Sequence, residues 1–183
     1  VRAVATLVSS SGQIYYAGLT AGEGSIQIND PLFWWPRGLG VQNLYRLTVN
    51  LWGETDVEDS LTLRIGLRTV TAGENGSLIV NGITALPMGS VFIPEADPDF
   101  ITADDRVSAC VSSAAMAGYT ALLIPQGAPR PTERFYDLCD VHGIMVIEEY
   151  SSVSPADADS LHMRGHHPSL CLIDLIGSAD PDG

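Results

Sequence analysis

The side chains best suited to chemistry in this sequence are carboxylates that follow apolar runs. Glu95 and Asp97 come after residues 88–93, Glu148 and Glu149 after residues 144–147, and Asp180 and Asp182 after residues 170–176. Two carboxyls that face one another can divide the work of general acid and of nucleophile or base, if their surroundings keep one protonated and the other charged. The plainer reading of each is a solvated loop residue, and Asp97-Pro98-Asp99 is good turn chemistry in its own right. His162, His166 and His167 invite a metal reading, because the first two stand four apart on a possible helix. No third ligand has motif spacing, so no metal and no cofactor is expected. Gly73-Glu74-Asn75-Gly76 lacks the dinucleotide-loop pattern and opens no helix. Cys139 and His142 lie one turn apart, but Cys139 falls on an apolar face, which argues against a thiol nucleophile. With Cys110 and Cys171 it makes an odd set of cysteines without CxxC spacing, expected as reduced, buried thiols.

The elements that must position these groups change character along the chain. The first third reads as β: runs at residues 4–8, 13–19 and 25–28, then two segments at 44–51 and 61–68 that alternate with period two. Short strands with turns between them suggest a small antiparallel sandwich. Beyond Thr69, Asn81-Gly82 sits between two short apolar runs as the expected two-residue hairpin turn. A strand at 88–93 follows, then a helix starting at Thr102, with Val107, Cys110, Val111, Ala114 and Ala115 on its apolar face and Gly118 past its end. Residues 120–124 form a continuous apolar run, as in a parallel strand covered on both faces. Pro131 is expected to open a second helix with Phe135, Leu138 and Cys139 inward and Gly143 as its stop. Residues 144–147 make a buried strand, 157–164 a weaker helix, and 170–176 a last strand. Such alternation implies right-handed parallel crossovers, in a doubly wound sheet or in a (β/α)8 barrel.

Composition excludes some partners. All nine basic residues are Arg, and 22 acidic residues bring the formal charge to −13. That field repels nucleic acid and anionic membranes alike. No apolar run reaches the roughly 20 residues of a membrane span, and no signal-peptide pattern opens the chain. The compartment stays open between cytoplasm and exterior. The start at Val1, in what already reads as a strand, is expected to be internal to a longer protein.

Trp34-Trp35-Pro36-Arg37-Gly38-Leu39-Gly40-Val41-Gln42-Asn43-Leu44-Tyr45, together with residues 64–70, 80–97, 135–146 and 167–170, resembles glycoside hydrolase family 2, in its β-mannosidase and exo-β-D-glucosaminidase form; the first segment is similar to the family's WWPxGxGxQxLY stretch. Arg64-Ile65-Gly66-Leu67-Arg68-Thr69-Val70 is similar to its RIGLRTV link. Val80-Asn81-Gly82 with residues 88–97 looks like the VNG hairpin and the GxNWIPAD start of the first barrel strand. Residues 135–146 are close to FYDLCDELGILV, and His167-Pro168-Ser169-Leu170 resembles HPSI. The matches run in the family's order and cover most of the chain.

The resemblance implies an immunoglobulin-like β-sandwich over residues 1–69 and the N-terminal half of a TIM barrel, about four βα units, over residues 70–183. It implies a fragment of a retaining glycosidase acting on terminal β-linked mannose or glucosamine, with a carbohydrate as substrate. Its two carboxyls would stand about 5–5.5 Å apart at the C-terminal ends of strands. Asp180 is the candidate acid/base; Glu149, Asp97, Glu148 and Asp182 are candidate substrate-binding residues. Trp34 and Trp35 are expected to fill the seam between the two domains rather than stack on sugar, and Trp52 to close a strand.

The departures carry the alternative. Where the family has Arg-Val-Trp-Gly, this chain has Leu123-Ile124-Pro125-Gln126-Gly127. Ala179 intervenes between Ser178 and Asp180, and the nucleophile-bearing half of a barrel is not in this sequence. The alternative is therefore a catalytically inactive, truncated relative that acts as a carbohydrate- or protein-binding module. A third possibility is an unrelated doubly wound binding domain, which would order its strands 2-1-3-4. A half barrel leaves strand edges unpaired, so self-association through them is expected.

Overall fold

The computed structural model describes residues 2–93 and 104–175. Glu95, Asp97, Asp180, Asp182 and the Thr102 cap lie outside the described residues. Strands β1 (Arg2–Val8), β2 (Ile14–Leu19), β3 (Tyr45–Trp52) and β4 (Val57–Ile65) form one antiparallel sheet in the order β2-β1-β3-β4. Alternation puts apolar residues on one side. Ala5 faces Ala17 and Val49 across the ladders, and Leu7 faces Leu47. The other side is mixed: the Thr48 and Thr62 hydroxyls stand 3.1 Å apart, and Ile14, Tyr16 and Trp52 are exposed on it. The expected strand at 25–28 is not one. After Ala21 and Gly22, both at positive φ, the chain leaves the sheet edge. Ile26 and Ile28 then line a concavity of about 600 Å³ on the sheet's apolar face, with Leu7, Leu19, Leu47 and Val49.

A three-stranded hairpin sheet follows: β5 (Val70–Ala72), β6 (Leu78–Val80) and β7 (Ile83–Ala85). Asn81 and Gly82 make its turn at φ 50° and 82°, the positive values that this pair adopts at low cost. Asn81 also fixes the hairpin's position. Its amide oxygen accepts from the Thr69 N–H at 2.9 Å, and its Nδ2 donates to the Trp34 carbonyl at 2.9 Å.

The last sheet is parallel. Strands β8 (Gly89–Val91), β9 (Ala121–Ile124), β10 (Met145–Tyr150) and β11 (Leu170–Leu175) lie side by side in chain order. That order differs from the 2-1-3-4 of a doubly wound sheet. Helices α1 (Asp104–Met116), α2 (Glu133–His142) and α3 (Pro155–Arg164) connect them. Helix α2 starts two residues later than Pro131 suggests, because Thr132 takes the N-cap, and it stops at Gly143 in the left-handed conformation, φ 70°. Helix α3 has a capping box: the Ser154 hydroxyl accepts from the Asp157 N–H, and the Asp157 carboxylate accepts from the Ser154 N–H. None of the described helices is long and apolar enough to cross a membrane.

Strands β9, β10 and β11 send alternate residues to two different cores. Leu122, Ile124, Val146 and Leu170 pack with Val111 of α1 and Phe135, Leu138 and Cys139 of α2. Ala121, Met145 and Cys171 face the opposite way, against Trp34 and the hairpin residues Leu78, Val80 and Ala85. The helices thus cover one face of the sheet. The hairpin and the Trp34 loop cover the other, at the N-terminal ends of the strands.

Candidate functional site

Strand β10 carries two adjacent glutamates, and the pleat sends them to opposite faces. Glu148 goes with Val146 and Tyr150 to the helix side, where it is fully buried. Its carboxylate accepts from the Tyr150 hydroxyl at 2.8 Å, from the Tyr136 hydroxyl of α2, and from Arg164 Nη1 of α3 at 2.6 Å. Arg130 stacks over the Tyr150 ring, 4.1 Å from its centroid, with Nη1 3.9 Å from Glu148. Burial raises the pKa of both tyrosines, and Glu148 raises it further, so both hydroxyls stay protonated and donate. Arg164 is held as a cation: burial works against its charge, but Tyr136 and Glu148 more than offset it. The position named from sequence as substrate-binding is therefore filled by protein partners on the covered face.

Glu149 goes the other way, with Met145 and Ile147. It is half-buried, and its carboxylate accepts from the Gln126 N–H at 3.3 Å, while its carbonyl accepts from Arg130 Nη2 at 2.9 Å. On the same side of the sheet, Gly89, Val91, Leu123 and Ile147 line a concavity of about 240 Å³. Among the described residues, Glu149 is the sequence-named candidate on this face, at the C-terminal half of its strand. Asp97, Asp180 and Asp182 fall outside the described residues, so no geometry relates them to Glu149.

A second polar cluster was not anticipated as a unit. His167, 1% exposed, places Nδ1 2.7 Å from Asp140 Oδ2 and Nε2 2.8 Å from Glu133 Oε2. Asp140 Oδ1 accepts from the Ser169 N–H at 2.9 Å. Burial disfavours the imidazolium, but the hydrogen bonds and charges of Asp140 and Glu133 outweigh that, and the pKa of His167 is raised. His166 stacks on His167 with ring centroids 4.0 Å apart. Two sets of side chains are close enough to share a cation: Glu133 with His166 and His167, and Asp137 and Asp140 with His167. The partners of His167 come from α2, more than 25 residues earlier, and no spacing rule pointed to them. The cysteines are free; burial pushes the Cys171 thiol up to about 11 and the Cys139 thiol up as well, so both are poor nucleophiles.

The motif residues around Trp34 build a seam. Trp34 is fully buried, and its indole N–H donates to the Asp140 carbonyl at 2.8 Å. The Arg37 N–H donates to the Gly143 carbonyl at 2.7 Å. Arg68 reaches the carbonyls of Pro168 and Leu170. Gly66 lies so close that an added Cβ would stand 2.4 Å from Pro168 Cγ. Trp34 is thus closed to sugar stacking, while Trp52, 38% exposed, ends β3 at the surface.

Residues 2–68 match the family described as Glycosyl hydrolases family 2. Beta-mannosidase A of Emericella nidulans is 27% identical over 98% of this chain and 23% of its own length. Beta-mannosidase B of the same organism is 23% identical over 81% of the chain and 20% of its length. The chain therefore spans about a quarter or less of the curated relatives it matches. Among solved structures, a beta-D-mannosidase from Dictyoglomus thermophilum superposes with TM-score 0.71 at 23% identity, over 94% of this chain and 25% of that one. An exo-chitosanase from Amycolatopsis orientalis gives TM-score 0.60 at 23% identity, over 81% of this chain and 19% of that one.

Proposed function

We propose that this chain, similar over residues 2–68 to Glycosyl hydrolases family 2 and over most of its length to beta-mannosidases, supplies the middle of a retaining glycosidase acting on terminal β-linked mannose or glucosamine. In this reading residues 1–69, whose described strands form one four-stranded sheet rather than two facing sheets, belong to an immunoglobulin-like sandwich domain, and residues 70–183 are the first four βα units of a TIM barrel. The observation that carries it is the parallel sheet. Its four strands run in chain order, with helices on one face and Glu149 on the other. Barrel enzymes place their chemistry at the C-terminal strand ends, on loops that follow the strands. Glu149 is then a sugar-binding carboxylate, Asp180 the acid/base, and Asp97 and Asp182 further substrate contacts. The nucleophile would come from the remainder of the barrel.

The test uses the full-length protein that carries this chain, with chromogenic β-mannoside and β-glucosaminide. Turnover of one of them is expected. Asp180→Asn should lower kcat by roughly 10²-fold, the lower end of what general acid–base catalysis contributes. Glu149→Gln should raise KM more than it lowers kcat. A full-length protein that turns over neither substrate would remove the enzymatic reading. The inactive-relative reading has its own support: the turn after β9 closes on Glu149 through the Gln126 N–H and brings neither Arg nor Trp into the stretch from 123 to 127. Binding of mannose, glucosamine or chitosan oligomers without turnover is its expected signature.

A further inference from the structure

We propose that Glu133, His166 and His167 form a binding site for a divalent transition-metal ion of the Zn²⁺ class, separate from the sugar face and independent of the glycosidase reading. The sequence pairs His166 with His162, four residues back; the fold instead brings it against His167 and the first turn of α2.

Both imidazoles engage Nδ1 and turn Nε2 toward Glu133. His166 Nδ1 lies 2.9 Å from the Met163 carbonyl, which can only accept, so Nδ1 carries the proton and Nε2 offers its lone pair. His167 Nδ1 lies 2.7 Å from Asp140 Oδ2, a carboxylate already oriented by the Ser169 N–H, so here too the outward atom is Nε2. Both Nε2 atoms approach the same oxygen, Glu133 Oε2, at 2.8 Å for His167 and 3.7 Å for His166. Zn²⁺ binds nitrogen and carboxylate oxygen at about 2.0–2.1 Å, so neighbouring ligands in a tetrahedral shell stand about 3.3 Å apart. The two observed separations straddle that value, and all three ligand atoms fall within 4.8 Å of one another.

The surroundings match what metal-binding histidines use. Each ring's other nitrogen is engaged, one by a carboxylate and one by a backbone carbonyl, which fixes tautomer and orientation. The alternative set is less suited: Asp137 is ion-paired with Arg64 at 2.6 Å, and both Asp140 oxygens are already engaged. Accessibility grades from inside outward, with side chains 1% exposed at His167, 17% at His166 and 62% at Glu133. That leaves an outer coordination position for water. On binding, the ion would displace the proton shared between His167 Nε2 and Glu133, and tie α2 to the loop that enters β11.

The experiment is calorimetric titration of the purified, chelator-treated full-length protein with Zn²⁺, and with Co²⁺ monitored by its visible d–d absorption. One ion per site is expected, with four-coordinate Co²⁺ bands and a rise in Tm. His166→Ala and Glu133→Gln should each weaken binding at least ~10-fold, the scale of effect that even outer-shell changes produce. His162→Ala should leave it unchanged. Glu133 is exposed and His166 partly so, and circular dichroism of each variant verifies the fold. Absence of Zn²⁺ uptake by the native protein overturns the proposal. So does affinity in His166→Ala and Glu133→Gln equal to that of the native protein.

Discussion

At the scale of single residues, burial decides what a charged group can do. Glu148 has no exposed surface, yet it lies among the Tyr136 and Tyr150 hydroxyls and the Arg164 guanidinium, with Arg130 nearby. Removing water from a carboxylate and a guanidinium is expensive, and their mutual attraction with added hydrogen bonds offsets that cost only while all partners are present. Arg164→Met should therefore destabilise the fold by about 3–5 kcal/mol, as removal of one partner of a buried ion pair does. Urea denaturation of the variant beside the native protein measures this. The double variant Glu148→Leu with Arg164→Met should recover part of the loss, because the fully buried carboxylate is no longer left without its Arg164 partner; Arg130, 3.9 Å away, limits the recovery. A single variant as stable as the native protein would show that the pair contributes nothing.

At the scale of elements, the seam between the first sheet and the parallel sheet rests on close approach of backbone. Gly66 follows β4 directly, and a Cβ there would meet Pro168 Cβ and Cγ at 2.6 and 2.4 Å and Trp34 Cβ at 3.0 Å. None of these atoms is the free end of a flexible chain. Gly66→Ala must push β4 away from the loop that enters β11, with a cost of about 1–3 kcal/mol typical of overpacking. Gly18→Ala is the control, since nothing lies within 4 Å of its added Cβ. A fall in Tm for the first and a near-constant Tm for the second is the expected thermal-melting result. Equal melting of both would mean that the seam yields.

At the scale of the whole molecule, two surfaces stand out. The apolar face of the first sheet borders the 600 Å³ concavity, and β8 and β11 form the outer strands of the parallel sheet among the described residues. Unpaired outer strands present N–H and C=O groups to other chains. The formal charge of −13 opposes such contact at low salt. The isolated 183-residue chain should therefore associate in sedimentation runs, more strongly as protein concentration rises and more strongly at 1 M salt, where the Debye length falls to about 3 Å. A monomer whose sedimentation is indifferent to both variables would exclude association through these edges.

The sequence by itself determined the local elements. Alternation at 44–51, the Asn81-Gly82 turn, the Gly143 stop and the apolar runs at 120–124 and 144–147 are short-range signals, and each corresponds to an element at that place. It failed at 25–28, because apolar content does not say whether a segment pairs with a sheet edge or lies across its face. At the candidate site it supplied the adjacent pair Glu148 and Glu149 but not their difference. That difference came from the pleat together with α2 and α3, which sit on one face only. The placement of Trp34 under Asp140, the Arg164 charge beneath β10, and the meeting of Glu133 with His166 and His167 likewise belong to tertiary structure. These contacts join residues from 14 to 106 positions apart. Such pairings depend on how strands and helices pack, and no periodicity along the chain encodes them.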